Sequence, residues 1–492
     1  MTRLIRIKKM PRLCKNTFVL IGCFFIPLFY TAFLEFYFST PHPPSSLPTV
    51  IETTKSANNV MVEFSRSAQQ PFLQQGNYHR NDGEPMRILL RRLVRGSALE
   101  ELRQNGIACV SEIQSIFCVI TGAVRVITGA QPIIYLSDGQ NLTRGLNFSM
   151  KPYAKRADEA AMINVNSVTI ASSHDSDNIP VCDVHHVDPA IIISTGGYSA
   201  NFFHTINDVM IPVFLSTKHF HSQIEFVVSD HKPLWMEKYN NFFKSLSAHD
   251  LIVGSSRVVP VHTKVHCFPG ALVGVKYHHY LTIDPSKAPG DVNMMEFKNF
   301  LLQSFSLRHA HITEITGKKP IMVIICRRRT RTLRNEKEVA NLARRLGFHV
   351  ELAPPSRMKK TLKFAQLVNS CSVMVGVLGA GLTNMVFLPR DAVVVQIVPF
   401  ALEWDAKTCY GKEPSSRFGL KYLEYPVNLE ESTIYRQYSL DDPVIKDPES
   451  VKRQGYQVFK TVYLDGQNVT VGHISKFRNI LSQAKKLVRT SS

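Results

Sequence analysis

The sequence predicts an α/β fold of two Rossmann-like domains facing a cleft, behind an N-terminal transmembrane helix and a stem. Three observations carry that expectation. Strand-like apolar runs alternate with helical patterns from about Cys109 onward. An apolar stretch long enough to span a bilayer follows a basic tail. A segment rich in Pro, Ser and Gln separates the two.

Arg3, Arg6, Lys8, Lys9, Arg12 and Lys15, with no acidic residue among them, precede "TFVLIGCFFIPLFYTAFLEFYF". Roughly 20 apolar residues suffice for a spanning helix. The positive-inside rule then places the tail, 1–16, in the cytoplasm and everything after the span, 17–38, in a lumen. The long apolar run and the lack of a small-residue cleavage motif favour a retained signal anchor over a cleaved signal peptide. "STPHPPSSLPTV" and "QQPFLQQGNYHRNDGEP" read as an exposed stem, 39–105.

Of nine cysteines, Cys14 falls in the tail and Cys23 in the span, which leaves an odd number in an oxidising lumen. Cys109 and Cys118 flank "VSEIQSIF" and are candidates for a local bridge, with Cys182 and Cys267 a second candidate pair. Cys326 and Cys371 read as small buried hydrophobes. No cysteine pair has zinc-site spacing. Asn141, Asn147 and Asn468 open sequons for N-glycosylation. The net charge of +19 suggests an acidic ligand, such as a nucleotide sugar or a uronic-acid-bearing glycan, against the plainer reading of a soluble basic surface. Luminal topology argues against nucleic acid.

In the second half, 316–492, "KKPIMVIICR", "HVEL", "VMVGVLG" and "DAVVVQIVP" read as strands. "NEKEVANLARRLGF", closed by Gly347, and "TLKFAQLVNSCS" read as helices between them. The first half, 106–315, repeats the rhythm with more insertions: strands "AIIIST", "EFVVSD" and "DLIVG", and helix "LWMEKYNNFFKSLS".

Three stretches look chemical. In "VGVLGAGLTN", Gly376, Gly379 and Gly381 follow a strand and open a helix, a pattern that serves either phosphate binding or tight packing. In "CRRRTRTLRN", Arg327, Arg328, Arg329 and Arg331 stand at a strand's carboxyl end, where open α/β sheets place ligands. Guanidinium forks suit phosphate, and contact is expected from at least one of the first three. In "ISTGGYSANFFHTINDVMIPVF", Asn201, His204 and Asp208 fall on one helical face launched from Gly196-Gly197, opposite a buried apolar side, with Pro212 as a potential kink. Such a face could present His204 or Asp208 as a base to an attacking hydroxyl.

These residues resemble glycosyltransferase family 61 of plants, in particular its grass xylan arabinosyl- and xylosyltransferase clade. The resemblance rests on "STGGYSANFFHTINDVMIPVF", "VHCFPGALVGVKYHHYLTIDPSKAPG", "CRRRTR", "GVLGAGLTNMVFLPRDAVVVQIVPF" and "DDPVIKDPESVKRQG", in that order. It implies a Golgi type II membrane enzyme of GT-B-like architecture that transfers a pentose, arabinofuranose or xylose, from a UDP-sugar to xylan with inversion and without a metal or other cofactor. It also implies an acceptor domain, 106–315, and a UDP-sugar domain, 316–492. Carried over, Asp208 is the first choice of base and His204 the second. Arg327, Arg328 and Arg329, with Gly379, Gly381, Thr383 and Asn384 of the glycine loop, hold the donor. Glu403 is a further candidate for a ribose or acceptor contact, and Gly197 and Asn201 line the acceptor side. Leu378 stands where the family commonly has histidine, which admits a weakly active or inactive paralogue that binds glycan or nucleotide as a scaffold for other transferases. The family's substrates also include N-glycans, so the resemblance leaves a transferase acting on N-glycans as a further alternative.

Asp175-Ser-Asp177 resembles a metal-holding aspartate pair, but no long strand precedes it and a polar loop is the favoured reading. His185-His186 and His278-His279 lack ligand spacing and read as surface or loop residues, the second pair a weak candidate to lie near substrate.

Overall fold

A computed structural model of the chain describes residues 85–136, 146–172, 180–315, 317 and 319–490. The tail, the span, most of the stem, Asn141, Asp175 and Asp177 lie outside the described residues. No helix among the described residues is long and apolar enough to cross a membrane.

The fold is mixed α/β, built on three sheets. The first runs in the order β1-β2-β12-β8-β9-β10, with β1 Ile107–Ser111, β2 Ile116–Ile120, β8 Ala190–Ser194, β9 Glu225–Ser229, β10 Ile252–Val253 and β12 Ala271–Gly274. Its β12-β8-β9-β10 side is parallel, while β1, β2 and β12 pair antiparallel. The second, in the order β5-β6-β4-β3-β11-β7, contains β3 Val124–Ile127, β4 Ile133–Leu136, β5 Asn147–Met150, β6 Val168–Ser172, β7 Val184–His185 and β11 Val265–Phe268. This sheet is absent from the Rossmann pattern read in the sequence, because its strands are short and alternate in burial.

Strand β8 is buried on both faces, as its unbroken apolar run requires. Ala190 and Ile192 join Val126, Ile134 and Ile170 in a core between the two sheets. Ile191 and Ile193 face the opposite, helix-covered side. Disulfides fasten this half: Cys109–Cys118 links register partners on β1 and β2, and Cys182–Cys267 ties the chain before β7 to β11. Two helices, α1 Met86–Arg91 and α2 Ser97–Asn105, bury Leu89, Leu90 and Leu102 in the helical core, so the folded body takes in residues that the sequence places in the stem.

The third sheet is wholly parallel, β14-β13-β15-β16-β17, with β13 Ile321–Ile325, β14 His349–Ala353, β15 Val373–Val377, β16 Val393–Val398 and β17 Lys421–Pro426. The helix Ile474–Arg489 covers it with Phe477, Leu481, Ala484 and Val488, spaced to share one helical face. Gly347 closes the helix Glu336–Arg345 at φ 89, a backbone that favours glycine.

Polar clasps join the two halves. Asn369 accepts from the amides of Arg308 and His309 at 2.9 and 2.8 Å. Buried Lys298, on the helix Met294–Ser304, donates to the Phe418 carbonyl at 2.5 Å. Burial, with Arg390 adding, lowers this ammonium from 10.5 to about 7. Between those values the unfolded chain binds the extra proton, so the contribution of Lys298 is least favourable at and below pH 7 and improves as pH rises toward 10.5. The urea midpoint is therefore expected to gain more between pH 7 and 9 in the wild type than in Lys298→Met. Equal pH slopes in the two chains would refute it.

Candidate active site

The site begins where β8 ends. Gly197 turns the chain at φ 52, and a Cβ there would stand 2.4 Å from the Tyr153 ring, so only glycine admits both this backbone and that tyrosine. Asn201 then caps the next helix, accepting from the Phe203 amide at 3.0 Å. One α-helical turn, Phe202–His204, opens into a π-helix, Thr205–Met210, before α-geometry resumes over Ile211–Thr217. Pro212 supplies a reason. It has no N–H, and in a regular α-helix its ring would press on the carbonyl of Asp208, so the wider turn relieves that clash.

This geometry corrects the expected polar face of Asn201, His204 and Asp208. Asn201 is spent as a cap, and the side chain of Asp208 is 0% exposed against 22% for His204. Asp208 is nevertheless well satisfied. Oδ2 receives the Tyr153 hydroxyl at 3.0 Å and His204 Nδ1 at 2.7 Å, and Oδ1 receives the Asn207 amide at 2.6 Å. Asn207 is held in turn by the Leu281 amide, 2.7 Å from its Oδ1. A carboxylate only accepts, so Nδ1 of His204 carries a proton, and in the neutral imidazole Nε2 is the nitrogen with the lone pair. The sequence ranks Asp208 first as base, yet the accessible member of the pair is His204.

Aromatic and charged groups surround the imidazole. The Tyr198 ring lies 4.9 Å from it, and the Tyr198 hydroxyl donates to Asp158 at 3.0 Å. Burial and that carboxylate push Tyr198 up to about 12. Lys155 donates to the Tyr280 hydroxyl at 3.0 Å, and Phe203 packs edge-on to Tyr410 of the second half at 5.9 Å.

Tyr410 leads to the arginines. Its hydroxyl pairs with Thr383 at 3.0 Å, and the charges of Arg327 and Arg331 act on it. Arg327 is fixed by the carbonyl and hydroxyl of Thr330, and its Nη1 lies so close to Gly379 that a Cβ there would be 1.9 Å away. Burial, with Arg331 adding, lowers Arg327 to about 10. Arg331, at φ 50, is also depressed by burial, with Asp465 and Asp405 opposing. Its loop is held by the 467–469 segment: the Arg331 amide donates to Gln467 and the Thr332 amide to the Asn468 side chain, both at 2.8 Å.

The other donor-side candidates have other settings. Arg328 is committed to a two-pronged pair with Glu336, and Arg329 is exposed. Gly376 and Gly381 make room for Leu382 and Ile325, which is packing. The "AGLTNMVF" stretch is a 3-10 helix in which Asn384 bonds the Gly381 carbonyl. Leu378 is buried in the core. Glu403 sits at the exposed start of its helix, while Asp405, two residues on, is raised by burial, with the charge of Arg331 among those opposing.

Among the histidines, His186 departs from a surface role: it lies 2.7 Å from buried Glu225 and 2.9 Å from His266, stacked on Phe268. His185 and His279 are exposed. His278 accepts from the Asp284 amide and is lowered by burial to about 4. No group of three or more His, Cys, Asp or Glu among the described residues could hold a metal ion.

A sequence profile described as Glycosyltransferase 61 matches residues 202–395, from the helix of His204 and Asp208 through Arg327 and the glycine loop. A beta-1,2-xylosyltransferase of Oryza sativa subsp. japonica is 31% identical over 78% of this chain and 81% of its own length. A xylan glycosyltransferase of Arabidopsis thaliana is 30% identical over 78% and 80%. The chain belongs to glycosyltransferase family 61. An alpha-1,3-arabinosyltransferase of Oryza sativa subsp. japonica is 32% identical over 78% of this chain, which spans 64% of that relative. A second from the same source is 34% identical, again over 64% of its length.

Sequence reasoning missed Tyr153, Asn207 and Tyr198, which build the His204 setting, and counted Arg331 in the arginine cluster without placing it among the expected phosphate contacts. Pro212, four residues after Asp208, was the legible signal that a regular helical face would not form there. Gly197→Ala is expected to cost about 1–3 kcal/mol in urea unfolding through strain and collision with Tyr153. The control Gly96→Ala has a similar φ of 56 with nothing within 4 Å of its Cβ, and is expected to cost less. Equal losses would show that Tyr153 does not constrain this turn.

Proposed function

We propose that this family 61 chain is an inverting glycosyltransferase that moves a pentose, arabinofuranose or xylose, from a UDP-sugar onto xylose residues of xylan. The observation that carries the reading is the pairing of an accessible His204, oriented by Asp208, with two desolvated arginines reached through Tyr410. Relatives whose names specify xylan, arabinosyl and xylosyl transfer supply the substrate class.

In this reaction His204 Nε2 takes the proton of an acceptor hydroxyl as its oxygen bonds to the anomeric carbon. The bond from that carbon to the UDP oxygen breaks, its electron pair leaves with UDP, and the configuration inverts. Asp208 keeps Nδ1 protonated and balances the imidazolium, while Tyr153 and Asn207 hold the carboxylate. Arg327 and Arg331 neutralise the leaving diphosphate without a metal, and Gly379 lets Arg327 lie flat against the loop.

The proposal extends to a GT-B-like arrangement, with the first half taking the acceptor and the second the UDP-sugar. It includes a single-pass Golgi anchor at 17–38, a luminal catalytic part and glycans on the sequons, of which Asn147 is exposed on β5. Complexes with other transferases belong to it as well. A scaffold reading is favoured by Leu378 alone, a hydrocarbon where the family commonly has histidine.

Incubation with xylo-oligosaccharides and a panel of UDP-sugars, read by mass spectrometry, is expected to show one pentose increment. His204→Gln is expected to lose about 10²–10⁴-fold in turnover, the usual worth of a general base, with UDP binding retained. Arg327→Gln and Arg331→Gln are expected to weaken UDP binding about tenfold or more, in keeping with charge-assisted contacts. UDP binding without transfer from any donor would favour the scaffold. Unchanged turnover in His204→Gln would remove it as base.

A further inference from the structure

A cavity of about 630 Å³ lies on elements that do not carry the His204 site. Its walls come from α1, α2 and the turn at Ala288–Gly290. Arg91 and Ile88 lie one turn apart on α1, and Arg103 and Leu99 one turn apart on α2, while Arg92 and Arg95 come from the link between them. The volume falls within the range of about 300–1,000 Å³ common to small-molecule sites.

Four arginines thus line one concavity, and no carboxylate is among its described lining residues. Arg95 is held in place by carbonyls rather than by a countercharge, donating to Ser286 at 2.6 Å and Ala288 at 3.2 Å. The Arg103–Glu100 pair at 3.1 Å is largely exposed, and solvent screens it. Gathering like charges costs free energy that a bound anion would relieve. Guanidinium forks beside apolar walls fit a planar carboxylate attached to a sugar ring better than a bare ion.

We propose that this cavity is a second, non-catalytic binding site for a carboxylate-bearing sugar of a glycan chain. The proposal rests on the reading that the protein acts on a glycan. Its role is to hold an acidic polysaccharide while the His204 site works on a neutral residue of the same or a neighbouring chain.

The test titrates the full chain with a glucuronate-substituted xylo-oligosaccharide, its unsubstituted counterpart and inorganic phosphate. The variants are Arg91→Gln/Arg103→Gln and, separately, Arg92→Gln. Arg95 is left intact because it braces the 286–288 turn. Wild type is expected to bind the acidic oligosaccharide at least tenfold tighter than the neutral one, with the preference falling as salt rises. The double variant is expected to lose that preference to within about twofold, the size of a surviving non-specific charge effect, and Arg92→Gln to lose part of it. Turnover on the neutral acceptor should stay unchanged in all three chains. Retention of the preference in the double variant would overturn the proposal. Phosphate binding as tightly as the oligosaccharide and displacing it would also overturn it, in favour of a bare-anion site. Binding and turnover are read separately, so a chain that binds selectively but transfers nothing would fail the catalytic reading and leave this one supported.

Discussion

A carboxylate taken wholly out of water must be given donors, and Asp208 is the group around which this chain meets that demand. Leaving such a charge short of a partner costs several kcal/mol, so the surrounding residues are constrained by it. Tyr153 must reach it from the loop after β5, Asn207 from the adjacent position and His204 from one turn earlier. Each carries a consequence outward. Tyr153 requires glycine at 197, Asn207 pins the Leu281 amide and so the turn at 279–282, and His204 is left with one orientation. The π-turn is what lets a carboxylate four residues after the imidazole turn inward while the ring stays accessible.

The two halves contribute unlike things to this setting. The first offers hydrogen-bonded polar groups at the carboxyl end of a parallel β8-β9 pair, and the second offers half-buried cations past the carboxyl end of β13. The second half also presents Tyr410 to Phe203, so the helix of His204 is packed against a residue on which the charges of Arg327 and Arg331 act. Clasps at Asn369, Lys298 and Arg417 hold these faces in register. Movement of one half would therefore shift the His204 setting and the Arg327–Arg331 loop together.

Much of this fold is legible in the sequence. Runs such as "IMVII" and "VVVQIV" are short, rich in β-branched residues and set between helical patterns, so the third sheet is legible as buried parallel strands under helical cover. The second sheet does not, because four-residue strands with alternating burial carry little signal and its order depends on long-range pairing. The site divides in the same way. His204 and Asp208 are visible as chemistry-bearing types at close spacing, and Arg327 as one of a cluster. Which arginine is free, however, is decided by Glu336 capturing Arg328, and by Gln467 and Asn468 positioning Arg331 from over a hundred residues away. Side-chain spacing cannot report a competition between partners so distant in the chain.

The arginines also show why net charge is a poor guide to where an anion goes. Arg327 and Arg331 are desolvated, and their protonation is already disfavoured by burial, so a compact diphosphate there would gain from low local dielectric and few competing waters. Arg92, Arg95 and Arg103 are exposed, and each would contribute little alone. Affinity at their cavity must come from several weak, screened contacts made at once, which is the manner in which a repeating acidic chain binds. A single +19 total therefore hides two physically distinct settings of arginine, one half-buried and desolvated and one exposed and screened.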